Sequence, residues 1–247
     1  MNRITMSILV AVASLIVVSC APLTAHSPAS IATVIDIPVT PSVTQRILYT
    51  QAGNPVATIV ALPGGRGWLG IRDDGSVEVP CFPIYRIRQA LADQGIASAL
   101  VDKASDGSVY GIANVAAVVH WVQRQSDVPV WLVGGSSSTN AVAAIANQLP
   151  VDARIGTVFF SPASPDPAIV PRLSRPALVV YNTQDAWHDA PAFHAALTAS
   201  PSKAQIALTG RDISACGAHL FQGLDDELAR AIGDFVRISR TIGGQGQ

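Results

Sequence analysis

Three residues stand along the chain in an order that suits covalent acyl transfer: Ser136 in a glycine-serine turn, then the carboxylate Asp185, then His219. A serine hydroxyl is a weak nucleophile until a neighbouring base takes its proton during attack. Histidine supplies that base near neutral pH, and a carboxylate beside it fixes the tautomer and stabilises the imidazolium that forms. Ser136 lies in Gly134-Gly135-Ser136-Ser137-Ser138, directly after the apolar run Val128–Val133. A strand, a sharp turn of small residues and a following helix would force the serine into strained geometry and point its hydroxyl away from the sheet. The pattern G-x-S-x-G is met at Gly134 and Ser136, but Ser138 stands where a final glycine is usual. Ser137 competes for the role, although its frame would begin one residue beyond the expected strand end. The plain alternative is a turn whose hydroxyls cap the next helix.

Asp185 follows the strand candidate Ala177–Tyr181, in a loop at a strand's carboxyl end, where acids of a parallel sheet collect. Asp189 is its competitor, set to open a helix whose dipole would favour a negative charge. His219 lies in Cys216-Gly217-Ala218-His219-Leu220-Phe221, between the last strand candidate and the closing helix. The other histidines, His26, His120, His188 and His194, read as surface or packing residues. Backbone N–H groups of Gly65 and Ser137 could bind an oxyanion, because Leu62-Pro63-Gly64-Gly65-Arg66-Gly67 would follow a strand and its glycines allow close approach. The same glycines lack a P-loop lysine and the G-x-G-x-x-G spacing, so no nucleotide cofactor is expected. Arg66 could attract an acidic substrate, or be solvated or paired with Asp73 or Asp74.

These residues need a scaffold, and the hydrophobic pattern supplies one. Strands are expected at Ala32–Val39, Val43–Thr50, Ala57–Leu62, Ile96–Val101, Val128–Val133, Ile155–Phe160, Ala177–Tyr181 and Ala204–Leu208. Helical spacing falls at Cys81–Gln94, Ile112–Gln125, the alanine-rich run to Leu149, Ala190–Ala199 and Leu224–Ile238. Alternating strands and helices with continuous apolar strands imply an α/β domain whose doubly wound, mostly parallel sheet carries helices on both faces.

Taken together, the elbow, the acid loop, the histidine loop and the glycine loop resemble the α/β-hydrolase superfamily over about Ala57 to Phe235. That resemblance implies an eight-stranded sheet, a Ser136-His219-Asp185 triad and cleavage of a small-molecule ester or related acyl bond without cofactor; no metal is expected, because no His/Asp/Cys cluster shows ligand spacing. No insertion is long enough for a lid or separate cap domain, so an exposed pocket is expected. A second function class stays open: a catalytically inactive envelope lipoprotein of the same fold, acting as a binding or structural module.

The bulk properties agree with one buried core, since 49% of the 247 residues are hydrophobic and 13% charged. With 16 Lys and Arg against 17 Asp and Glu, no electrostatic footprint for nucleic acid is present. At the amino end, a short basic segment, an apolar run and Val17-Val18-Ser19-Cys20 resemble a bacterial lipobox. The expected division is a signal peptide at 1–19, a tether at 20–31 anchored by acyl chains such as palmitate on Cys20, and one domain at 32–247. Localisation would be the periplasmic face of a membrane, or the soluble exported space if cleavage is of the ordinary secretory kind. Oligomeric state is not legible. Cys81 and Cys216 then form an even pair in an oxidising compartment, either bridged or as two separate thiols.

Overall fold

A computed structural model describes residues 32–150, 154–210 and 216–243; the expected signal peptide, Cys20 and the tether lie outside them. Eight strands form one sheet: β1 (Ala32–Thr40), β2 (Val43–Thr50), β3 (Ala57–Leu62), β4 (Ile96–Ala104), β5 (Val130–Gly135), β6 (Ile155–Phe160), β7 (Ala177–Asn182) and β8 (Lys203–Leu208). Their spatial order is β1-β2-β4-β3-β5-β6-β7-β8. The pairs β1–β2 and β2–β4 are antiparallel, and every later pair is parallel. Five helices pack on the sheet: α1 (Pro83–Asp93), α2 (Ile112–Gln125), α3 (Ser138–Gln148), α4 (Ala190–Ala196) and α5 (Asp225–Gly243).

Continuous apolar runs sort into two cores because alternate residues of a strand face opposite ways. Along the inner strands, Val60, Leu62, Leu132, Phe159 and Val179 join the residues of α2, α3 and α4 in one cluster. Their neighbours Ile59, Ala61, Trp131, Val133, Val158, Phe160, Leu178 and Val180 join those of α1 and α5 in the other. Strands β3, β5 and β6 are buried at every position, as a sheet covered on both faces requires. The edge strand β8 alternates exposed and half-buried residues instead.

Element boundaries move in one way that matters. Strand β5 runs to Gly135 rather than stopping at Val133, so both glycines belong to the strand and the turn is tighter than the sequence pattern indicates. Glycine makes that extension possible: a Cβ on Gly135 would stand 2.0 Å from Phe160 Cε2, and one on Gly134 2.8 Å from Val142 Cγ2. The carboxyl ends of β3, β5, β6, β7 and β8 open on the same rim, where ligands of parallel sheets gather.

Candidate active site

Ser136 sits at the apex of the turn between β5 and α3 with φ of 53°, a left-handed conformation that a non-glycine residue adopts only under tertiary constraint. Ser137 has φ −60° and ψ −23° and already belongs to the helix as its N-cap. Of the two serines, Ser136 alone has the left-handed backbone of a strand-to-helix elbow. That strain is held from both sides: Ser136 N–H donates to Phe160 C=O at 3.1 Å, while its own C=O accepts from Thr139 Oγ1 at 2.7 Å.

Ser138 departs from the glycine pattern for a visible reason. Its fully buried hydroxyl lies 2.9 Å from Leu62 C=O and 3.0 Å from Gly135 C=O, and it accepts from Gly135 N–H at 2.9 Å. A glycine there would leave these groups at the β3 and β5 ends with fewer partners. The serine ties the elbow to the neighbouring strand, and nothing about the turn is opened by it.

The side chains of Asp185 and His219 meet, with Nδ1 of the imidazole 2.8 Å from Oδ2 of the carboxylate. Asp185 has a fully buried side chain, and its Oδ1 accepts from Trp187 N–H at 2.8 Å. Asp189 is occupied elsewhere: its Oδ2 accepts from Ser164 Oγ at 2.8 Å. Of the other histidines within the described residues, His188 accepts from Ala190 N–H and stacks on Tyr181, His120 is exposed on α2, and His194 belongs to α4. Burial, with the nearby Lys203 ammonium, pushes the His194 pKa down from its ordinary value.

His219 occupies a short 3-10 turn, Ala218–Leu220, held by side chains distant in sequence. Ser161 Oγ donates to His219 C=O at 2.9 Å, from a backbone with φ of 40°. Asn182 Nδ2 donates to Ala218 C=O at 3.2 Å, and its Oδ1 accepts from Gln184 N–H, so one amide joins the histidine turn to the acid loop. Arg86 donates to Leu220 C=O at 2.7 Å and pairs with Asp225. A disulfide joins Cys81 to Cys216 with Cα atoms 5.3 Å apart, fastening the turn to the segment entering α1.

Ser136 and His219 line one cavity of about 330 Å³, walled by Trp68, Val79, Phe82, Phe160 and Leu220 and bordered by Gly64, Gly65 and Arg66. The glycine loop crosses directly over the elbow, since a Cβ on Gly64 would come 2.5 Å from Gly135 O. Ser137 Oγ donates to Gly65 C=O at 3.2 Å, and Tyr110 Oη donates to Pro63 C=O. Burial pushes the Tyr110 phenol pKa up from its ordinary value. Beyond the glycines, the buried Asp102 accepts from Leu69, Gly70, Ile71 and Lys103 N–H groups and so fixes the loop carrying Trp68. The sequence pattern does not single out Ser161, Asn182, Arg86, Tyr110 or Asp102; the only signal is that Asp102, Ser161 and Asn182 each directly follow an expected strand.

Neither comparison, with protein-family models or with curated protein sequences, returns a match. Solved structures do match in shape. Est1E from Butyrivibrio proteoclasticus superposes with a TM-score of 0.63 at 12% identity, covering 85% of this chain and 99% of its own. A dienelactone hydrolase from Anabaena variabilis gives 0.64 at 15% identity, over 84% of this chain and 97% of its own. The Pyrococcus furiosus esterase Pf2001 gives 0.61 at 12% identity, over 84% and 92%. With its eight-stranded, mostly parallel sheet, the helices on both faces and these matches over nearly whole chains, the described chain has the α/β-hydrolase fold.

Proposed function

We propose that this protein is a serine hydrolase that cleaves a carboxylic ester of a small molecule through Ser136, His219 and Asp185. The observation that carries it is the strained Ser136 facing the same cavity as a histidine whose Nδ1 lies against a buried carboxylate. In the first half-reaction His219 takes the Ser136 proton as Oγ bonds to the ester carbonyl carbon. The tetrahedral oxyanion then collapses, the alcohol leaves with the proton from His219, and an acyl-Ser136 remains. Water attacks that acyl group with His219 again as base, releasing the acid and restoring the serine. N–H groups of Gly65 and Ser137 bind the oxyanion, each worth about 2.7–4 kcal/mol in comparable sites. The esterases and the dienelactone hydrolase of similar fold support ester chemistry.

An inert binding module is the alternative that the missing third glycine suggests. Ser138 instead serves the elbow with its buried hydroxyl, which favours the catalytic role. Export fits the same chemistry, since a disulfide is at home in an oxidising compartment. We place the enzyme at the cell envelope, anchored by lipid on Cys20. Metabolic labelling with an alkyne-tagged palmitate should then mark the wild-type protein and leave Cys20→Ala unmarked, and an unlabelled wild type would refute the anchor. The activity is tested with p-nitrophenyl butyrate: the purified domain turns it over, and Ser136→Ala reduces kcat by about 10⁴-fold or more. Equal turnover by the variant would refute the assignment.

A further inference from the structure

The cavity is apolar apart from its catalytic end, with one formal cation on its border. That cation is Arg66, carried on a tight turn closed by Gly67 N–H to Gly64 C=O at 3.1 Å, with Gly65 at φ 62° and Gly67 at φ 80°. The two acids nearest in sequence are taken by others: Asp73 pairs with Arg46, and Asp74 accepts from Ser76 N–H. Among the described residues Arg66 is exposed and forms no ion pair. The exposed Lys103 ammonium, 5.2 Å from the Trp68 indole centroid, belongs instead to a neighbouring groove that also holds Asp36, Glu78 and Asp102. The chain carries a net charge of −1, so Arg66 is a local cation at this cavity and not part of a generally basic surface.

Resting on the ester-hydrolase assignment, we propose that the substrate is an ester with a carboxylate of its own, held by Arg66 while an apolar or aromatic portion fills the cavity. A planar guanidinium matches a carboxylate with two parallel hydrogen bonds. Trp68, Phe82 and Phe160 offer faces and edges that suit a flat or short branched group.

The test uses esters matched in size and differing in charge. One pair puts the charge on the acyl side, mono-p-nitrophenyl glutarate against p-nitrophenyl pentanoate. A second puts it on the alcohol side, 4-carboxyphenyl butyrate against its uncharged isostere 4-carbamoylphenyl butyrate. In at least one pair the wild-type enzyme favours the anionic ester in kcat/KM by about fivefold, the size of a solvent-exposed ion pair. That preference shrinks with added salt and disappears in Arg66→Gln, but persists in Arg230→Gln on the distant helix α5. No preference in either pair, or a preference unchanged in Arg66→Gln, overturns the proposal. If no ester is hydrolysed in a Ser136-dependent way, the underlying assignment fails instead, and Ser136→Ala measured alongside separates the two failures.

Discussion

The elbow and the histidine turn stand at the same rim but are held by opposite means. Ser136 is fixed by close packing within the sheet, by glycines that let β5 run against Phe160 of the adjacent strand and by a helix that starts two residues later. His219 sits in a half-buried 3-10 turn whose position comes from Ser161, Asn182, Arg86 and Cys81, each contributed by a different part of the chain. Ser136 therefore depends on steric fit between neighbouring strands, while His219 depends on side-chain ties and a disulfide reaching a loop. Substitutions in the two regions should fail in different ways.

The largest effect is expected from removing the disulfide. A bridge across a sequence separation of 135 limits the unfolded chain by up to about 5 kcal/mol in the loop-entropy view. The Cys81→Ser/Cys216→Ser protein should lose about 3–5 kcal/mol in denaturant unfolding. Its native-state hydrogen exchange should rise first around Ala218–Leu220 while the elbow amides stay protected. Uniform loss of protection across both regions would erase the contrast between them.

Gly135→Ala strikes the other region. Its new methyl would meet the Phe160 ring at 2.0 Å, so backbone or ring must shift, at about 1–3 kcal/mol. Activity should fall with it, and trimming the ring in Gly135→Ala/Phe160→Leu should recover part of the stability, as read by thermal melts. An additive double variant would show that the ring is not what confines the strand.

A smaller change is expected for Ser161→Ala, which deletes the donor to His219 C=O at a cost of about 1 kcal/mol. Here kcat should drop more than KM rises, because the base is displaced while the cavity stays intact; a pure KM effect would contradict a role in positioning. Smallest of all is Asp36→Asn on the edge pair β1–β2. The hydrogen bond from Arg46 holds the Asp36 carboxyl below its ordinary pKa of 3.8, so its contribution is present above that value and is lost as pH falls through the lower folded value. Both groups are partly exposed, so the variant should lose well under about 1 kcal/mol near pH 7, should converge with the wild type in acid, and should keep full esterase activity.

The same contrast explains what the sequence made legible. Alternation of apolar strands and helices was plain in runs such as Ala57–Leu62, and a glycine-serine turn after one of them marks an elbow by local pattern alone. Its final detail was not local: Gly135 belongs to the strand only because Phe160 of β6 leaves room for no side chain. Asp185 and His219 were placed by chain order, but the contact between them spans 34 residues and depends on how β7 and β8 pair. Ser161 and Asn182 are ordinary polar residues in sequence. Their importance comes from lying at the ends of adjacent parallel strands, a tertiary fact without a periodic signature.

Whether Ser136 becomes covalently acylated is the central question, and mass spectrometry of the intact protein answers it most directly. Brief exposure to a fluorophosphonate, or to a p-nitrophenyl ester followed by acid quench, should add one phosphonyl or acyl group. Peptide mapping should place it on Ser136, and Ser136→Ala should carry none. A single adduct mapped to Ser137 or to any other residue, or one that persists in Ser136→Ala, would contradict the assignment.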